Sequence, residues 1–94
     1  MKSILQRHRR CLVCGSPDVE EHHVFEGSRR KASEEYGMKV YLCPRHHRGR
    51  PDGAHADADF AAFLKQEAQK AFEKRYGHDV FIKVFKKNYI GDKK

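Results

Sequence analysis

Four residues constrain this chain more than any others: Cys11 and Cys14, with two residues between them, and Cys43 and His46 at the same spacing far downstream. Two intervening residues let both donors of a pair reach one tetrahedral ion, and Gly15 permits the tight turn beneath the first pair. Alone, Cys11-Leu12-Val13-Cys14 could be a redox pair, and all four together could be a buried thiol cluster without metal. Size sharpens the choice. A chain of 94 residues makes one small domain with a modest core, so a staple is expected. Three cysteines are an odd count, poorly suited to disulfides in a reducing compartment and better suited to metal. The expected staple is a structural zinc held by Cys11, Cys14, Cys43 and His46.

Four of the seven histidines form two adjacent pairs, His22-His23 and His46-His47. Residues 19–25 read as a strand. Residues 38–43 alternate β-branched and aromatic residues and read as a second strand, antiparallel to the first. Neighbours on a strand point to opposite faces, so His22 and His23 take different jobs unless a bulge, or a turn near Gly27, brings them together. A plain polar rim residue is the blander reading of one of them, and the Cys-x-x-His-His opposite argues against it. Pro44 starts a short helix at the position where its missing N–H does no harm. His46 and His47 then lie about 100° apart around the axis, so His46 can turn to the thiolates and His47 to the first strand. Residues 26–37 form a polar connection holding one or two helical turns, ended by Gly37. Residues 48–56 form a loop broken by glycine and proline. Its His55 could serve a metal or a phosphate, or be an ordinary surface residue, and Asp52 is a weaker candidate.

The net charge is +7, from 20 Lys and Arg against 13 Asp and Glu, and the isoelectric point is near 9.5. This favours a polyanionic partner, nucleic acid ahead of a membrane surface. Arg29, Arg30 and Lys31 form one basic cluster, and Arg45, Arg48 and Arg50 surround the second histidine pair. Each could contact phosphate or simply be solvated. Residues 1–10 read as a basic arm, mobile or solvated, with Arg7, Arg9 and Arg10 free to reach phosphates. No apolar stretch follows this start, so no signal peptide is expected. No apolar run approaches the ~18 residues of a membrane-crossing helix, so no membrane partner and a cytoplasmic location are expected. From Asp57, the N-cap, to Gly77 the chain reads as a helix. Phe60, Phe63, Leu64, Ala68, Ala71, Phe72 and Tyr76 form its core stripe, opposite a solvated face of Lys65, Gln66, Gln69, Lys70 and Lys74. Residues 79–87 fit a second helix capped by Asp79, or a strand by their β-branched content. Helix is preferred because Phe81, Val84 and Phe85 then close a face with Tyr89 and Ile90. The tail from Gly91 is expected to fray.

The order of strand with His-His, loop, strand, then short helix with Cys-x-x-His-His resembles the ββα-metal core of HNH (His-Me finger) endonucleases. Cys11, Cys14, His22, His23, Cys43, His46 and His47 carry the resemblance, over about residues 11–57. The stretches HHVFEGSRRKASEEYG, YLCPRHHRG and GAH, with the helix after them, are similar to small phage HNH proteins. These are related to the RecA-dependent (recombination enhancement function) nuclease family. The resemblance implies an α+β fold in a single domain, 1–94. A basic arm (1–10) precedes a small zinc-stabilised ββα-metal core (11–57), and C-terminal helices (57–90) follow it. It implies a phage-encoded or bacterial endonuclease that hydrolyses DNA phosphodiester bonds with one divalent metal, leaving a 5′-phosphate and a 3′-hydroxyl. By position His23 matches the general base, and His22 and His47 match ligands of the catalytic metal. His55 would be a further ligand, where relatives with an H-x-x-x-H pattern use the position occupied here by Pro51.

The chemistry is consistent with these roles. A neutral imidazole is a suitable base near pH 7. A Lewis acid stabilises the phosphate charge, and an acceptor beside His23 would fix its tautomer. Arg45, Arg48 or Arg50 could clamp flanking phosphates. Two features depart from the family. The middle Asn is missing, since the only Asn is Asn88, and the first metal position, often acidic in relatives, is His22. An all-His site suits Mn²⁺ or Ni²⁺ as well as Mg²⁺. The implied partner is DNA, with a recombinase filament or another phage or host DNA-processing protein as a candidate activator. The alternative is a non-catalytic, zinc-stabilised nucleic-acid binding module, which needs the four zinc ligands and the basic surface but not His22, His23 and His47 together. A third reading is an interaction protein with an incidental zinc.

Overall fold

The computed structural model describes residues 2–49 and 53–90. Arg50, Asp52 and the tail from Gly91, named above, lie outside the described residues. The fold is mixed: β1 (Glu20–His23), a 3₁₀ turn (Gly27–Arg29), α1 (Arg30–Tyr36), β2 (Lys39–Leu42), α2 (Pro44–Arg48), α3 (Ala58–Tyr76) and α4 (His78–Phe85). β1 and β2 form a two-stranded antiparallel sheet with His22 opposite Val40 and His23 opposite Lys39. Both strands are shorter than their sequence pattern, although Val24 N still donates to Met38 O at 3.0 Å. Val24 and Phe25 then turn into the core. No described helix is long and apolar enough to cross a membrane.

Within the basic arm expected over residues 1–10, residues 2–6 are docked on the sheet. The second edge of β2 would otherwise present a row of unpaired backbone groups, and the N-terminal segment covers it. Ile4 N donates to Gly37 O (3.0 Å) and Ser3 Oγ to Lys39 O, while Gln6 Oε1 accepts from Tyr41 N (2.6 Å). Leu12 N continues the row by donating to Tyr41 O (2.9 Å). Residues 37, 39 and 41 alternate as one edge of an antiparallel strand must. Ile4 and Leu5 pack against the core, while Arg7, Arg9 and Arg10 remain exposed. Gly37 ends α1 in the left-handed region (φ +70°), and a Cβ there would collide with the Lys2 carbonyl.

Asp57 caps α3 as expected, its carboxylate accepting from Asp59 N (2.9 Å) and Phe60 N (3.2 Å). The two faces of α3 differ from the sequence pattern. Phe63 is 51% exposed and Tyr76 37%, whereas Gln69, placed on the solvated face, is fully buried. Gln69 donates to Asn88 Oδ1 and Glu73 Oε2, both at 2.8 Å, and accepts from Tyr89 N at 2.7 Å. A single helix's periodicity cannot reveal this burial, because the segment after α4 creates it. That segment lays the Tyr89 ring 5.1 Å from Phe25. α4 is a helix, but it starts from Gly77 (φ +94°) rather than from an Asp79 cap, and Asp79 sits in its first turn. Phe81 and Phe85 on α4 meet Phe25 and Phe72 with ring centroids 4.5–5.6 Å apart.

Candidate functional site

The first two cysteines sit on a knuckle. Gly15 N donates to Cys11 O (2.9 Å) and Cys11 N to Ser16 O (2.8 Å), with Gly15 at φ +78°. Cys43 follows β2 and caps α2, whose first turn brings His46 back. Cys14 Sγ lies 3.8 Å from Cys43 Sγ, and His46 Nδ1 lies 3.2 Å from Cys43 Sγ and 3.6 Å from Cys11 Sγ. A tetrahedral site with sulfur at about 2.3 Å and nitrogen at about 2.0 Å has edges of about 3.5–3.8 Å. Cys11, Cys14, Cys43 and His46 therefore form a cluster that could hold a metal ion. Burial raises the Cys11 pKa, but the N–H groups of Cys43, Cys14 and Val13 outweigh it and bring the thiol down to about 6. This favours the thiolate that ligation requires.

One face of β1 carries Glu20 and His22, the other Glu21 and His23. The first face meets α2 and the turn after it. His47 projects from α2, and His55 returns beside it, its N donating to His47 O at 2.9 Å. The rings of His22, His47 and His55 stand 4.7–5.1 Å apart, and a nitrogen of each lies within 4.8 Å of the other two. His47 Nε2 and His55 Nε2 are 3.0 Å apart, the spacing of two nitrogens in cis positions on an ion at about 2.1 Å. His47 Nδ1 donates to Glu20 Oε1 at 2.7 Å, which leaves Nε2 as the donor to a cation and holds the Glu20 carboxyl below its usual range. Burial, then the neighbouring His47 and His55, brings His22 down to about 4, so its ring is neutral at pH 7. Glu26 Oε2 approaches the triad, 3.7 Å from His55 Nδ1 and 3.9 Å from His22 Nε2.

His23 faces α1, with Nε2 2.8 Å from Glu34 Oε1. Both oxygens of Glu34 accept from Lys39 Nζ at 3.1 Å, and Lys39 also reaches Glu21 Oε1 at 3.4 Å. Glu21, His23 and Glu34 have ligand spacing too, but the Lys39 ammonium already sits among their carboxylates. The bond to His23, then that to Lys39, lowers the Glu34 pKa to about 2. Because β1 ends at His23, the two neighbouring imidazoles still line one cleft with His47 and His55, and Arg30 and Arg48 line it too. Lys31 lines an adjoining cleft with His23 and Arg30. Among the described residues, Arg29 and Arg45 are not part of either lining.

Sequence reasoning missed Glu20, Glu26, Glu34 and Lys39. Glu20 was within reach, since it lies two residues before His22 and so shares its strand face. Glu34 and Lys39 carry no local signal. No family model, no curated protein and no solved structure matches this chain.

Proposed function

We propose that this protein is a metal-dependent DNA endonuclease of the HNH (His-Me finger) kind, with a ββα-metal core stapled by a structural zinc. The convergence of His22, His47 and His55 beside His23, in a cleft also lined by Arg30 and Arg48, carries this reading. A binding module needs only the Cys₃His cluster and a basic surface, so four histidines gathered at a cleft are surplus to it.

Cys11, Cys14, Cys43 and His46 would hold the zinc, a donor set typical of structural sites. His22, His47 and His55 would hold the catalytic cation, which supplies Lewis-acid stabilisation of the phosphate charge and of the leaving oxygen. Their nitrogen donors suit Mn²⁺ and Ni²⁺ as well as Mg²⁺. His23 accepts a proton from water as the water oxygen bonds to phosphorus and the bond to the 3′-oxygen breaks, and the departing 3′-oxygen takes a proton from solvent water. The products are a 5′-phosphate and a 3′-hydroxyl. Arg30 and Arg48 clamp flanking phosphates, and the net charge of +7 draws the polyanion in. DNA is the proposed partner, and a recombinase filament on DNA the proposed activator.

The test is a plasmid nicking assay with zinc-loaded protein in Mg²⁺, Mn²⁺ or Ni²⁺, on bare and recombinase-coated DNA, beside His23→Ala. Expected is metal-dependent nicking that disappears in the variant while DNA binding and melting temperature persist. Salt-sensitive DNA binding without nicking under any of these conditions overturns the nuclease reading in favour of the binding module.

A further inference from the structure

We infer that Glu34 and Lys39 are positioning residues: Glu34 holds His23 with Nε2 protonated and Nδ1 as the basic nitrogen, and Lys39 holds Glu34. This rests on His23 as the base of the proposed nuclease. A neutral imidazole has one N–H and one lone pair, and an ionised carboxylate can only accept. The 2.8 Å contact between His23 Nε2 and Glu34 Oε1 therefore assigns the proton to Nε2.

Lys39 is the unusual residue of this group. Its side chain is only 5% exposed, a rare state for lysine, which normally keeps its ammonium in water. A buried ammonium needs partners, and Lys39 Nζ has Glu34 Oε1, Glu34 Oε2 and Glu21 Oε1. An apolar residue at this inward position would avoid that desolvation altogether. What the lysine adds is a grip on both oxygens of the carboxylate that meets His23.

The frame around the trio is fixed from three sides. Lys39 lies directly across the ladder from His23. The Lys39 carbonyl accepts from Ser3 Oγ of the N-terminal segment. Helix α1, which carries Glu34, is tied to the chain just past His23, because Ser33 Oγ donates to Phe25 O (2.8 Å) and accepts from Phe25 N (3.0 Å). A base held in one tautomer by elements registered this closely needs no reorganisation before it takes a proton.

The test uses full-length, zinc-loaded, ¹⁵N-labelled protein and long-range ¹H–¹⁵N correlation spectra of the His23 ring. Wild type should show the Nε2–H tautomer. Glu34→Ala combined with Lys39→Met removes both charges together, so the buried Lys39 ammonium is not left without Glu34. This variant should show mixed tautomers and nick plasmid with kcat lowered about tenfold or more, within the roughly 10²- to 10⁴-fold a general base supplies. KM for DNA and Mn²⁺ affinity should not change. Glu34→Gln with Lys39→Met restores an acceptor for His23 but not its lysine anchor, and should recover the Nε2–H tautomer with only part of the rate; recovery of the full wild-type rate overturns the role of Lys39. An Nδ1–H tautomer in wild type, or a wild-type tautomer and rate in the Ala/Met variant, overturns the inference. Should the variants not fold, the wild-type tautomer decides. That spectrum reads His23 whether or not DNA is cut, so a failure of the nuclease reading and a failure of this inference remain distinguishable.

Discussion

At the scale of single residues, adjacent histidines take different partners because a strand turns neighbouring side chains apart. His22, buried and neutral at pH 7, goes to a triad with His47 and His55, and His23 goes to a carboxylate. Glu20 shares the face of His22 and aims His47 through Nδ1. Glu20→Gln should weaken Mn²⁺ binding by about 10- to 100-fold in calorimetry while leaving zinc content unchanged. Unaltered Mn²⁺ affinity would mean that His47 does not depend on Glu20. Glu34 gives a pH prediction. Its folded value of about 2 lies below the ordinary 4.5, so between those values the unfolded chain binds the extra proton. The stability it contributes is whole above about pH 4.5 and is lost as pH falls towards 2. The side chain is 47% exposed, so solvent screening keeps the effect small. Glu34→Gln should flatten the acid limb of melting temperature against pH, and an unchanged limb would argue against the ion pair.

At the scale of elements, local chemistry sets the ends and long-range contact sets the faces. Asp57 and Gly77 bound α3 through capping alone, as an Asx-type cap and a terminating glycine do. The faces of α3 follow instead from what lies on them, which is why Gln69 is buried and Phe63 exposed. Gly37 joins both kinds of constraint, ending α1 in the left-handed region directly against the Lys2 carbonyl. Gly37→Ala should cost about 1–3 kcal/mol in urea unfolding, from positive-φ strain and from displacement of the N-terminal segment. A loss under about 0.5 kcal/mol would show that residues 2–6 do not dock on β2 in solution.

For the whole molecule, an aromatic core and the Cys₃His cluster lie at opposite ends of a very small sheet. Two strands of four residues do not stand alone in water. The cluster joins the knuckle to the end of β2, and the knuckle's Leu12 N pairs with the same strand edge that the N-terminal segment covers. Losing the proposed zinc should therefore release the strand edge and the entry to α2 together. A strong chelator, or Cys43→Ser, should abolish cooperative thermal melting followed by circular dichroism. A Cys43→Ser protein that still melts cooperatively would remove metal from the account of stability.

The ligand spacings, the Pro44 helix start, the α3 ends and the helical state of 78–85 were legible in the sequence. Each depends on chemistry within a few residues of chain, where spacing and dihedral preference act directly. Composition did not reveal what residues 2–6 do. The basic character of residues 1–10 suggests an arm, but Gln6 and Ser3 are strap residues only because Tyr41 and Lys39 lie beside them. The same holds for Glu34 and Lys39, an acid on a short helix and a lysine on a strand that look like ordinary solvated charges until the ladder sets them against His23. The sequence by itself determined which donors exist and how closely each local set can approach. Only the tertiary structure decided which carboxylate serves which histidine, because a hydrogen bond across 11 residues depends on the packing of α1 against β1 and not on any local preference.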